Sequence, residues 1–150
     1  MKPFKIIFKG IIVIFILMQF IGPSRTNPPA TGKEMKISPE VEPILKRACF
    51  DCHSNNTVWP WYSNIMPVKM LLANHVNDGR KRLNFSEWEN YPLNKKTDKL
   101  MEICEQVDEK KMPLDQYLYL HSNAKLSGED MKAICDWTDR EGKKLDEENK

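Results

Sequence analysis

The residues best suited to chemistry are Cys49-Phe50-Asp51-Cys52-His53. Thiols at i and i+3 lie on one side of a helical turn, and the adjacent imidazole reaches the same space. Two thiols so placed can bond the vinyl groups of one porphyrin edge while the imidazole binds the iron, the attachment chemistry of a c-type haem. The motif predicts one covalent haem c held by Cys49 and Cys52, with His53 as proximal ligand. The CxxC half also occurs in redox dithiols and zinc sites. A thioredoxin-like dithiol belongs among alternating strands and helices, and no convincing strand is present. A zinc site could recruit Cys49, Cys52, His53 and a fourth ligand such as His75, but the second closely spaced ligand pair of structural zinc motifs is missing.

The other axial position needs a ligand. Met112 stands 59 residues after His53, just past a helical stretch and before Pro113. Pro cannot continue regular hydrogen bonding, and such a loop can project a thioether across the open face of a haem. Met112 is the expected sixth ligand and His75 the alternative, followed by His121, Met66 or an open site. A packing role is the competing reading of Met112. Trp59, Trp61 and Tyr62 follow the polar turn 54–57 and are expected to wall the porphyrin, burying apolar surface at about 25 cal/mol per Å². The plainer reading is ordinary core.

Helices must position these groups. Ser38-Pro39-Glu40 reads as a helix start with Ser38 as N-cap, and Val41, Ile44, Leu45 and Ala48 then recur at helical spacing into Cys49. Met66-Pro67 opens a second helix with Val68, Leu71, Leu72, His75, Val76 and Gly79 on one face. Ser86 and Glu89 form a capping box for a short third helix, closed by Pro92. The fourth is predicted from about Thr97 to Lys110, its buried stripe being Leu100, Ile103, Cys104 and Val107. A last helix starts at Ser127 and carries Met131, Ile134, Cys135, Thr138 and Gly142, with Trp137 packed near them; the tail from Lys143 is expected to fray. Cys104 and Cys135 lie on buried stripes and form the expected disulfide, two buried free thiols being the alternative.

The N-terminus points to export. Lys2, Lys5 and Lys9 precede an apolar run, as in a signal sequence. Phe4 to Ile21 gives 18 residues, against the roughly 17 to 25 of a spanning helix. No small-x-small cleavage site is evident in Gln19–Ser24, so an uncleaved anchor is expected, with a cleaved signal as the alternative. The positive-inside rule leaves the N-terminus in the cytoplasm and the domain in the periplasm of a bacterial inner membrane. The organisation reads as a signal or anchor over 1–22, a Pro-rich linker over 23–37 extended off the membrane, and a domain over 38–146. The net charge of +2 comes from interleaved acids and bases without a basic stripe, so nothing points to nucleic acid.

Taken with Ser54, Trp59-Pro60-Trp61-Tyr62-Ser63, His75-Val76, Gly79-Arg80, Leu83-Asn84-Phe85-Ser86, Trp88, Met112-Pro113, Tyr117, His121 and Cys135-x-Trp137, the motif resembles the small bacterial haem-binding domain family related to c-type cytochromes. The resemblance covers residues 38–140. It implies a mainly helical, covalently haemylated domain beside an N-terminal membrane segment. The exported domain is therefore expected to be all-α and cytochrome c-like around one haem, preceded by the N-terminal membrane helix or signal. Its expected work is one-electron transfer between redox proteins on the exported side, rather than enzymatic catalysis. The alternative is a haem-based gas or redox sensor with an open or weakly filled iron site.

Overall fold

The computed structural model describes residues 2–23 and 25–148. Among them every regular element is a helix. Met1 of the expected leader and Ser24 of the expected linker and cleavage region lie outside the described residues.

The first helix, α1 (Lys2–Met18), has 17 residues and exposed apolar side chains such as Phe4, Ile7 and Phe8. At Gln19, Phe20 and Ile21 the amides bond only three residues back, at 3.1 to 3.2 Å, and the helix ends. Gln19 has a polar reason to stop it: its Nε2 donates to Phe15 O at 2.8 Å while its Oε1 accepts from Met66 N at 2.9 Å. The expected span from Phe4 to Ile21 is thus cut short, Phe20 and Ile21 falling beyond the helix. No helix among the described residues is long and apolar enough to cross a membrane; at 1.5 Å per residue α1 extends about 26 Å, against roughly 30 Å of hydrocarbon.

The Pro-rich segment is docked rather than extended into solvent, a second correction. Arg25 Nη1 donates to Ser63 Oγ (2.7 Å), Asn27 Nδ2 donates to Thr57 O (2.8 Å), Met35 N donates to Phe85 O (2.8 Å), and Lys33 O accepts from Glu89 N (2.9 Å). A chain without a helical ladder must find other partners for its polar groups, and here the domain surface supplies them. Met35 and Ile37 also pack on the core.

The helix α2 (Glu42–Ala48) starts later than Ser38, with Pro43 in its first turn; Ser38 instead closes a preceding turn by accepting from Val41 N and Glu42 N through its carbonyl, both at 3.1 Å. It leads through Cys49 into α3 (Phe50–His53). The next long helix, α4 (Val68–Arg82), follows Pro67 as expected. The short third helix is a 3-10 helix, Phe85–Asn90, capped by Asn84 and not by Ser86. Asn84 Oδ1 accepts from Ser86 N at 3.0 Å, while the Ser86 hydroxyl accepts from Asn55 N at 2.9 Å and is spent on the haem-motif loop. Pro92 begins α5 (Leu93–Asp108), four residues earlier than predicted, its extended backbone (φ −64°, ψ 157°) serving as N-cap. Beyond it come α6 (Asp115–Leu118) and α7 (Gly128–Glu148). Ser127 caps α7: its hydroxyl accepts from Asp130 N (3.1 Å), and Asp130 Oδ2 accepts from Ser127 N (2.8 Å). The end of α7 stays helical past Lys143, where Leu145 still touches the core.

The core gathers Val41 and Leu45 with Phe85, Trp88, Leu100, Ile103, Val107, Ile134 and Trp137. Within it α5 and α7 pack along their lengths and are bridged by the Cys104–Cys135 disulfide. A second pair, α3 against α4, stands beside this core and carries the motif.

Candidate functional site

The motif is placed by backbone before any side chain acts. His53 N and Cys52 N both donate to Cys49 O, at 2.9 and 3.2 Å, closing the turn that brings the thiols and imidazole together. The following loop is fastened by Arg80, whose Nε donates to Ser54 O (2.8 Å) and whose Nη2 donates to Thr57 Oγ1 (2.9 Å). The approach of α3 to α4 is closest at Gly79, where a Cβ would stand 2.5 Å from Cys52 O. Only a residue without one lets the two backbones meet there.

That approach fixes the His53 ring. Its Nδ1 lies 3.1 Å from both Gly79 O and Leu83 O at the end of α4. Carbonyls only accept, so Nδ1 carries the proton and Nε2 keeps a lone pair, the arrangement of a second-sphere bond to a metal-ligating imidazole. Burial lowers the His53 pKa, against the opposing effect of the two carbonyls, and keeps the ring neutral. Cys49 and Cys52 are unbridged. Burial pushes the Cys49 thiol up to about 12 and the Cys52 thiol up to about 11. Reactive redox dithiols show the reverse, a depressed thiol pKa.

Both thiols and His53 line a cleft of about 400 Å³. Along one side run Val68, Leu72, His75 and Val76 of α4; Trp59 and Tyr62 also line it. Val58, Leu71 and Leu120 line it too, yet are 75%, 51% and 68% exposed, so a flat apolar group seated here would cover apolar surface that now meets water. Arg82 is the one cationic side chain among Lys and Arg lining the cleft and makes no ion pair among the described residues, which suits a propionate carboxylate. The donor set, the apolar walls and this cation fit a haem.

Trp61 is the exception among the expected walls. It is 74% exposed and does not line the cleft. It begins the 3-10 helix Trp61–Asn64, in which consecutive side chains diverge by about 120°, so Trp61 and Tyr62 point different ways. Its ring meets the Tyr62 ring edge-on at 5.8 Å.

Met112 reaches the cleft through the end of α5. Lys110 adopts the left-handed conformation at φ 56°, and Lys111 N and Met112 N both return to Gln106 O, at 2.9 and 3.1 Å. This turn sends Met112 and Pro113 to the cleft that also holds His53, with His75 among its other lining residues. No three His, Cys, Asp or Glu side chains among the described residues gather within reach of one bare metal ion.

Residues without a motif also shape the site. Asp51 lies inside CxxCH and accepts from Tyr117 Oη at 2.7 Å. Burial and this carboxylate push the Tyr117 phenol above its ordinary range and keep it a donor. Gly79 was visible as a member of the apolar face of α4, but its role depends on what crosses that face.

Searches of curated proteins and of solved structures give no match. A family model described as a haem-binding domain matches residues 13–140. That match covers most of the chain, and the chain belongs to the haem-binding domain family.

Proposed function

We propose that the protein carries one covalent haem and transfers single electrons, with His53 and Met112 as axial ligands. The observation that carries this reading is the His53 ring, tethered at Nδ1 by two carbonyls and left with a free Nε2 beside two unbridged thiols. Cys49 and Cys52 would hold the haem as thioethers, each S–H adding across one vinyl group without net oxidation. Met112 offers a thioether from the α5 turn, and Arg82 offers a charge for a propionate. Bound there, the haem supplies a reversible one-electron couple whose potential a thioether ligand raises relative to a second imidazole. Trp59, Tyr62 and the α4 face exclude water, and firm ligand placement keeps reorganisation small.

The basic-then-apolar order of α1 is that of an export signal, and the Cys104–Cys135 bridge suits an oxidising compartment. These features support a place on the exported side of a bacterial inner membrane, with α1 as signal or membrane-associated segment and redox proteins as partners.

The test is the absorption spectrum of the haem-loaded chain, oxidised and reduced, with and without carbon monoxide. A near-infrared sulfur-to-iron band and no response to carbon monoxide are expected. A shifted Soret band on adding carbon monoxide would favour the ligand-binding sensor instead.

A further inference from the structure

The stretch after Met112 is held to the domain mainly by polar contacts. The helix α6 buries none of its residues, and Tyr119 and Leu120 just beyond it are 82% and 68% exposed. Apolar burial against the chain's own residues therefore does little to keep this segment down, while Leu120, which lines the cleft, would be covered once the haem is bound. Two phenols connect it to the haem motif and its loop. Tyr117 Oη donates to Asp51 Oδ2 at 2.7 Å, and Tyr62 Oη stands 3.3 Å from His121 Nε2. The His121 ring stacks on Tyr117, centroids 4.1 Å apart and planes 10° apart, and its Nδ1 donates to Tyr117 O at 3.0 Å. In the neutral ring with Nδ1 donating, Nε2 accepts from Tyr62 Oη. Asp51 is itself immobilised: Oδ1 accepts from Val58 N at 2.9 Å and its carbonyl accepts from Thr57 Oγ1 at 2.7 Å.

We propose that Asp51, through the Tyr117 hydroxyl, is the positioning residue that keeps Met112 on the cleft, so that the attachment motif itself governs how readily the iron opens to a small neutral diatomic ligand. This rests on Met112 being the axial ligand. Only Pro113 to Gln116 separate Met112 from Tyr117; the Met112 amide is held on its other side by Gln106 O at 3.1 Å, so the phenol is the tether on the C-terminal side of Met112. The tether is short and its acceptor is rigid. Removing a hydrogen bond to a charged acceptor alters a local equilibrium on the order of 10- to 100-fold.

The experiment compares the haem-loaded full chain with Tyr117→Phe, Asp51→Ala and Asp51→Asn by two readouts, amide hydrogen exchange over residues 113–121 and the rate of carbon monoxide binding to the reduced protein. Tyr117→Phe keeps the ring stacked on His121 but loses the donor, and should raise both readouts on the order of 10-fold or more. Asp51→Ala should do the same. Asp51→Asn can keep Oδ1 on Val58 N while its Nδ2 donates to the Tyr117 oxygen, so it should rescue both readouts to near the unaltered values. Unchanged exchange and unchanged binding in Tyr117→Phe and Asp51→Ala would overturn the tether. Absence of the sulfur-to-iron band in the unaltered protein would overturn the Met112 assignment and with it the ligand-gating part, while the exchange arm still decides whether Asp51 holds the segment.

Discussion

At His53 the orientation of a ligand is set by main-chain carbonyls, since Gly79 O and Leu83 O take the Nδ1 proton whatever side chains surround them. Met112 depends in the same way on Lys110, whose left-handed backbone turns the chain off α5. An L side chain in that conformation costs about 1 kcal/mol, which glycine avoids at some cost in unfolded-state entropy. Lys110→Gly should therefore be neutral or stabilise by up to about 1 kcal/mol in chemical denaturation, whereas a β-branched Lys110→Val should destabilise by at least about 1 kcal/mol. Met112→Ala should remove the near-infrared sulfur-to-iron band and leave the haem covalently attached; an unchanged band would assign the sixth ligand elsewhere. At this scale the sequence made Cys49, Cys52 and His53 legible because their geometry is local, closed within one turn. The outward turn of Trp61 was not legible, because it depends on a 3-10 helix following Pro60. Nor was the Asp51–Tyr117 bond, which joins residues 66 apart.

Between elements, the closest constraint is the crossing of α3 and α4. A Cβ at Gly79 would fall 2.5 Å from the Cys52 carbonyl, and that atom is backbone within the motif itself. Gly79→Ala should destabilise by roughly 1 to 3 kcal/mol and lower haem incorporation, read from the ratio of haem absorbance to protein. The α5 and α7 pair carries a different constraint, a disulfide joining residues 31 apart. Reducing it should cost roughly 3 to 4 kcal/mol on the chain-entropy estimate, measured by denaturation with and without reductant. Neither Cys104 nor Cys135 lines the cleft, so the haem spectrum should be unaffected while the protein stays folded. Helix identities were readable from apolar periodicity, and the Cys104–Cys135 pairing from their buried stripes. Boundaries shifted where local hydrogen bonding favoured another cap: Asn84 displaced Ser86, and Pro92 opened α5 instead of closing its predecessor.

In the whole molecule, the core and the cofactor cleft are adjacent rather than concentric, and residues 25–37 strap across them. Arg80 ties the arrangement together, donating to Thr26 O (2.8 Å) and Asn27 Oδ1 (3.1 Å) in the strap as well as to the loop after His53. Composition made this segment look like a spacer, because prolines forbid a helix but say nothing about which surface accepts an extended chain. Replacing Arg80 by Met should preserve much of its apolar stem, lose these bonds, and speed hydrogen exchange over residues 25–31 and 54–58 together. The membership of a haem-binding family and the cleft chemistry both point to haem. The most direct test is the intact mass of the denatured full chain, expressed with haem-attachment machinery, together with its alkaline pyridine spectrum. A mass increased by one haem, a two-thioether spectrum and loss of the spectrum's normal form in Cys52→Ala are predicted; a chain of unaltered mass whose Cys49 and Cys52 both remain open to alkylation would contradict the account.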